Sequence, residues 1–408
     1  MATGTRPADV VIVGGGIVGL ATAHRLLEAR PDLDVQVLEA EDRVGAHQSS
    51  RNSGVLHAGL YYAPGSDKAR WAVAGKAQLE RFCADHGVRV ARTGKVVVAT
   101  DRSELPALRA LTERARTNGV DVEELDVDGL RRHEPHVHGV AGLRSPGTAV
   151  TDFGEVTRVL AGVVGAAGGL VRTSTRVLDL VERPGRVRVA TTTGDLEARA
   201  VVTCAGLQAD RLAAMTGSPP TERIVPFRGS WLRLRPELAH LVRGNIYPVP
   251  TGGGLPFLGV HLTRRIDGEV WIGPNAVLAG ARSGASPWSV DRRDAAATAR
   301  FRGTWKLAAR HLGIGVGELW RDRYLHATIR AVQRYVPTIG VDDVARGPWG
   351  VRAQLVDRDG NLVDDFVVRA SDRVLHVLNA PSPAATASLA IGADLRDRVL
   401  GRLGRGTG

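Results

Sequence analysis

Apolar positions along this 408-residue chain follow two patterns. Short continuous runs mark strands, and runs at helical spacing mark helices. Residues 10–13 (VVIV), 35–38 (VQVL) and 201–206 (VVTCAG) belong to the first kind. Segments 94–100, 175–180, 224–234, 256–263 and 270–274 also read as strands. Helices are expected from the glycine-rich turn at 14–16 to about residue 29, at 68–86, at 105–117 and at 209–215. One more follows Thr386, where Leu389, Gly392, Leu395 and Val399 share a face. TDFGEV, 151–156, starts a further helix: Asp152 with Glu155 three residues on is a capping-box pattern. No internal repeat or long linker interrupts the chain, and only the tail GRLGRGTG reads as frayed.

The first 40 residues carry the clearest local signal. Strand 10–13 runs into Gly14-Gly15-Gly16-Ile17-Val18-Gly19, then a helix, a second strand at 35–38, and Glu39 followed by Ala40. This is the order of a dinucleotide-binding unit. Gly14 permits the tight turn, Gly16 lets a pyrophosphate approach the backbone, and Gly19 lets the helix pack on the strand. The helix N-terminus offers free N–H groups and partial positive charge to phosphates. Glu39 is placed to accept hydrogen bonds from an adenosine ribose. The pattern leaves NAD and FAD open. The uncharged run 10–23 is too short to span a bilayer, and its three glycines mark a turn.

Composition narrows the partners. Formal net charge is +11, with 54 Lys and Arg against 43 Asp and Glu, but only four lysines. The arginines are dispersed among acids with no like-charge block. That points to a small anionic substrate and away from nucleic acid. Two cysteines argue against a disulfide framework and suit the cytoplasm. No metal-ligand motif is present, and no segment has transmembrane length. Peripheral contact with the inner face of a membrane is left open, as is the oligomeric state.

Four further segments favour a flavin. HQSSRNSGVLHAG, 47–59, resembles the polar loop that passes under the pyrophosphate in one group of flavoenzymes. His47, Ser49, Ser50, Asn52 and Ser53 would supply short polar groups, and Gly54 a backbone approach. VVTCAG resembles the small-residue strand end that closes over the cofactor in FAD-dependent oxidoreductases, at Cys204, Ala205 and Gly206. Strand 175–180 resembles the one whose backbone meets the adenine, at Val177. At 379–386 a strand end and helix start bring Pro383, Ala384, Ala385 and Thr386 toward the flavin in such enzymes. That helix dipole stabilises negative charge.

The blocks HQSSRNSGVLHAGLYYAPGSDKAR (47–70), VPFRG (225–229), PFLGVHLTRRIDGEVWIGPNAVLA (256–279), GVRAQLVDRDGNLVDDFVV (350–368) and NAPSPAATASLAIG (379–392) carry a wider resemblance. In that order, the chain resembles the D-amino-acid oxidase and glycerol-3-phosphate dehydrogenase superfamily. Within it, the chain is most similar to the L-2-hydroxyglutarate oxidase/dehydrogenase family. It departs from the family at SSR, 49–51, and is only loosely similar over 281–330. The fold this implies is α/β. A doubly wound, Rossmann-like FAD-binding domain (1–85, 146–221 and 346–408) interleaves with an α+β substrate domain (86–145 and 222–345) whose sheet is mostly antiparallel.

The chemistry implied is hydride transfer from C2 of an L-2-hydroxy acid to flavin N5, with FAD as cofactor and oxygen or a membrane quinone as acceptor. The hydroxyl proton needs a base, and His261 and His57 are the candidates. A dicarboxylate needs cations in fixed geometry, which suits arginine. Arg264 and Arg228 are favoured, with Arg352 and Arg51 behind. Arg264 lies three residues after His261, on the opposite face of a regular strand. Tyr61, Tyr62 and Tyr247 offer hydroxyl donors, and Asn275 is expected to face the flavin. Two alternatives stand beside this reading: oxidation of another hydroxy acid, amino acid or biosynthetic intermediate, and a non-catalytic dinucleotide-binding protein.

Overall fold

The computed structural model describes residues 6–217, 219–250 and 259–404. Its first sheet grows around Ala8–Val13, whose six residues are all buried. Val35–Leu38 and Leu196–Thr203 flank that strand in parallel. Leu170–Arg172 and Val374–Asn379 extend the parallel set at either end. An antiparallel pair, Val177–Arg183 and Arg186–Thr191, joins Leu196–Thr203, and Val367–Ala370 pairs with Val374–Asn379. Continuous apolar strands belong in such a sheet because helices cover its faces. Ile17–Ala29, Phe153–Ala166, Asp67–Asp85 and Ser388–Leu403 pack together there around one apolar core. Each fully buried Val, Leu or Ile in it contributes ~1.5–3 kcal/mol. Asp152 caps Phe153–Ala166 through the N–H groups of Gly154 and Glu155, as its pattern predicts.

Among the described residues the second sheet has nine strands. Its main path runs Val277–Leu278, Arg223–Leu234, Val270–Gly273, His261–Arg264, Asn245–Pro248, Lys95–Ala99, Ala141–Ser145 and Glu123–Leu125, with Val344–Val356 on the outer side of Arg223–Leu234. Among the described residues, Asn245–Pro248 with Lys95–Ala99 is its one parallel pair. The expected junction at 346 needs correction. Val344–Val356 is one strand, and it pairs with Arg223–Leu234 from Arg223↔Val356 to Leu234↔Val344. Pairing of that length commits the strand to the second sheet, so chain belonging to the first begins after Val356. A small sheet of Val55–Leu56, Ala149–Thr151 and Val90–Ala91 ties the two parts together.

The remaining expectations differ at element ends. The expected strand at 256–263 is found as His261–Arg264, and residues 256–258 lie outside the described residues, as do 405–408 of the tail. The loosely similar stretch 281–330 forms helices, Arg292–Arg300, Arg302–Arg310, Leu312–Arg323 and the start of Leu325–Gln333. Their apolar residues are largely exposed, which is why no core pattern announced them.

Candidate active site

A cavity of about 1170 Å³ runs between the two sheets. One end is built by backbone. Gly14 has φ +114°, and a Cβ there would lie 2.4 Å from the Cys204 carbonyl oxygen. A Cβ on Gly19 would lie 2.1 Å from the Gly14 carbonyl oxygen. Only glycine allows these approaches. Gly14, Gly16, Ile17, Val18, Glu39 and Ala40 line this end, with Val177 and Cys204, Ala205 and Gly206 opposite. Glu39 is buried and accepts hydrogen bonds from the Gly15 N–H (2.8 Å) and the Glu41 N–H (2.9 Å).

The polar loop crosses the middle of the cavity. Ser49 Oγ accepts from the Ile17 N–H at 3.0 Å, which brings the loop to the helix start. His47, Asn52 and Ser53 also line the cavity, as do Pro383, Ala384, Ala385 and Thr386. Thr386 ties the two segments together, because its Oγ1 accepts from the His57 N–H at 3.2 Å. Four expected cofactor residues do not line the wall. Gly15 is turned to Glu39, and Gly19 is the packing contact described above. Ser50 Oγ donates to the Gly45 carbonyl at 2.7 Å. Gly54 backs onto Thr151, whose carbonyl oxygen would sit 2.6 Å from a Cβ. Their role is to brace the loop and turn.

The other end is built by side chains. His261 Nδ1 lies 3.0 Å from the Gly259 carbonyl oxygen. A carbonyl only accepts, so Nδ1 carries the proton and Nε2 keeps its lone pair. Burial pulls the His261 pKa down to about 3, with Lys95 and Arg352 also lowering it, against the Gly259 hydrogen bond, which raises it. The imidazole is therefore neutral. Two incoming carboxylates would favour its charged form and strengthen it as a base. Tyr247 stacks on it with centroids 4.0 Å apart and planes 14° apart. Tyr61 stands 6.4 Å from Tyr247. Tyr62, Arg352 and Arg51 complete the expected residues found on this wall, Arg51 lying 4.8 Å over the Trp349 ring. Burial lowers the Arg352 pKa, with Glu318 opposing.

Three expected residues are elsewhere. Arg264 donates to the carbonyl oxygens of Ala239 (2.9 Å) and Val242 (3.0 Å). The strand stays regular through 264, so strand alternation turns Arg264 away from His261. Arg228 is spent on Asp322 at 2.6 Å. Asn275 donates to the same carboxylate at 2.6 Å and accepts from the Ser230 N–H at 2.7 Å. Asp322 comes from Leu312–Arg323, a helix that the sequence pattern did not announce. That helix also brings Glu318 and Arg321 to the cavity wall, which the sequence reading missed. Glu318 pairs with Arg321 and accepts from the Ala276 N–H at 2.9 Å. Lys95 was missed as well, although a lysine opening an apolar strand (KVVVA) is a readable signal.

The cavity fits a flavin dinucleotide. Its backbone end is the glycine cradle a Cβ would fill, and its volume accommodates the cofactor. At its side-chain end, His57 Nδ1 and Tyr61 Oη are buried without a hydrogen-bond partner among the described residues. Each such group costs ~1–3 kcal/mol until a polar ligand edge meets it. Among the described residues no cluster of three or more His, Cys, Asp or Glu is arranged for a metal, and no helix is long and apolar enough to cross a membrane.

Comparison with known proteins agrees with this geometry. The family model described as FAD dependent oxidoreductase matches residues 9–398. The mitochondrial L-2-hydroxyglutarate dehydrogenase of Nematostella vectensis is 44% identical over 414 residues, covering 97% of this chain and 91% of that one. Its counterpart in Caenorhabditis elegans is 44% identical over 405 residues, covering 97% and 93%. The solved L-alpha-glycerophosphate oxidase of Mycoplasma pneumoniae with FAD bound superposes with a TM-score of 0.77 at 22% identity, covering 97% and 95%. That last likeness speaks for the fold. The chain belongs to the FAD dependent oxidoreductases, and within them to the family of the L-2-hydroxyglutarate dehydrogenases.

Proposed function

We propose that this protein oxidises L-2-hydroxyglutarate to 2-oxoglutarate. The observation that carries the reading is the cavity itself. Its dinucleotide end and an arginine- and histidine-lined pocket face one space, in a chain similar along almost its whole length to L-2-hydroxyglutarate dehydrogenases.

The glycine turn, the polar loop at 47–53 and residues 383–386 would hold FAD, which would supply the acceptor for the C2 hydride. Arg352 and Arg321 hold the two carboxylates, and each charge-assisted contact is worth roughly 1.5–3 kcal/mol. His261 Nε2 takes the hydroxyl proton as the C2–O bond becomes a carbonyl. Tyr247 fixes the imidazole plane, and His57 and Tyr61 offer polar groups to the bound molecules.

Two acceptors fit the chemistry, oxygen and a membrane quinone. The surface favours the quinone. Trp288, Trp305, Leu312, Leu319 and Trp320 are exposed beside the arginines of helices 292–323, a combination suited to peripheral contact with an anionic membrane.

Anaerobic titration of the yellow protein tests the substrate. L-2-hydroxyglutarate should bleach the flavin, and D-2-hydroxyglutarate should not. No bleaching by either would pass the reading to another hydroxy acid or an amino acid. Oxygen uptake during turnover then separates the two acceptors.

A further inference from the structure

Lys95 opens a strand whose five residues are all buried, and it is itself 1% exposed. Among the described residues it forms no ion pair. Its ammonium instead stands 4.1 Å from the centroid of the Tyr247 ring and 5.0 Å from that of Tyr61. Tyr247 in turn stacks on His261. A buried ammonium without a carboxylate is costly, and aromatic faces offset only part of that cost. The lysine is thus held where its charge acts on the two aromatic rings and, through one of them, on the candidate base. We propose that Lys95 is a positioning residue for the oxidation, clamping Tyr247 and thereby setting the plane of His261. The proposal rests on the reading of His261 as the base.

The lysine's charge opposes protonation of the imidazole, so its help to the reaction is the clamp and not the charge. Burial lowers the pKa values of His57 and His261, and the nearby lysine lowers them further. Burial brings Lys95 itself down to about 7. The other groups facing this cluster are few. Arg352 comes from strand 344–356, with Glu318 opposite it. Arg114, from the helix against strand 95–99, donates to the Tyr61 carbonyl. Arg144, on the neighbouring strand, is engaged by Glu123. None of these replaces the lysine between the rings.

The test uses FAD-loaded enzyme with Lys95→Met and Lys95→Arg, checked for flavin content. Lys95→Met should slow flavin reduction about tenfold or more, while 2-oxoglutarate affinity, read from the flavin difference spectrum, changes less than about threefold. Lys95→Arg should restore most of the rate. In the wild type the rate should fall as pH rises above about 7, where the ammonium loses its proton. Lys95→Arg should lose that fall. In protein labelled with ¹⁵N-histidine, Lys95→Met should shift the His261 ring ¹⁵N resonances at pH 7, the signal being assigned by its loss in His261→Asn. A Lys95→Met rate within twofold of wild type, or unchanged His261 ring resonances, overturns the proposal. If neither 2-hydroxyglutarate enantiomer bleaches the wild type, the substrate assignment has failed, and the ring resonances still decide on Lys95.

Discussion

The two ends of the cavity are made differently. The dinucleotide end is made by backbone: a glycine turn, a helix start and small-residue strand ends, where one added carbon has no room. The far end is made by side chains from strands 245–248, 261–264 and 344–356 and helix 312–323, set by stacking, ion pairs and burial. The first end should fail sterically and completely. The second should fail by degrees, one interaction at a time.

The largest effect is expected at the first end. Gly14→Val places a branched side chain at φ +114° against the Cys204 carbonyl. The purified protein should carry no flavin, by absorbance at 450 nm, whatever its residual fold. Next comes Arg352→Met at the second end. It should retain flavin and raise KM for L-2-hydroxyglutarate by roughly 10- to 100-fold, the equivalent of one charge-assisted contact. Retained flavin with an unchanged KM would take Arg352 out of the substrate pocket. The smallest effect belongs to Arg264→Lys. Arg264 is engaged with two backbone carbonyls, so KM should stay within about twofold.

The same contrast explains what the sequence disclosed. The GxGxxG turn, Glu39, the 47–59 loop and the Cys204–Gly206 strand end act through local backbone shape, and local shape is written in neighbouring residues. His261 was readable from its strand context and from the family resemblance, and Tyr247 only as a hydroxyl donor. Arg264 and Arg228 misled because an arginine's partner is set by tertiary structure. Ala239, Val242 and Asp322 lie tens of residues away, and Asp322 is on a helix with little buried apolar surface to announce it. Glu318 and Arg321 were hidden for the same reason. Lys95 was visible as a residue, but its burial between two rings depends on strand pairings no local pattern reveals.

Acidification sharpens the comparison further. Burial lowers His261 to about 3 and His376 to about 4, and His57 well below its ordinary value of 6.5. The folded values lie below the unfolded ones, so the unfolded chain binds more protons in between. Stability is therefore present above about 6.5 and lost as pH falls toward 4 and below. Lys95 has the same sign in a higher window, between about 7 and its ordinary 10.5. Lys95→Met should consequently raise the thermal midpoint at pH 7, by scanning calorimetry, while it slows turnover. A lower midpoint would mark the lysine as a structural support.

The central claim is that a neutral His261, held beside bound flavin, takes the proton from a 2-hydroxy acid. Stopped-flow reduction of His261→Asn by L-2-hydroxyglutarate tests it most directly. The account predicts full flavin content, 2-oxoglutarate binding near wild type, and reduction slower by about 10²-fold or more. Reduction at the wild-type rate would contradict it and move the proton to His57.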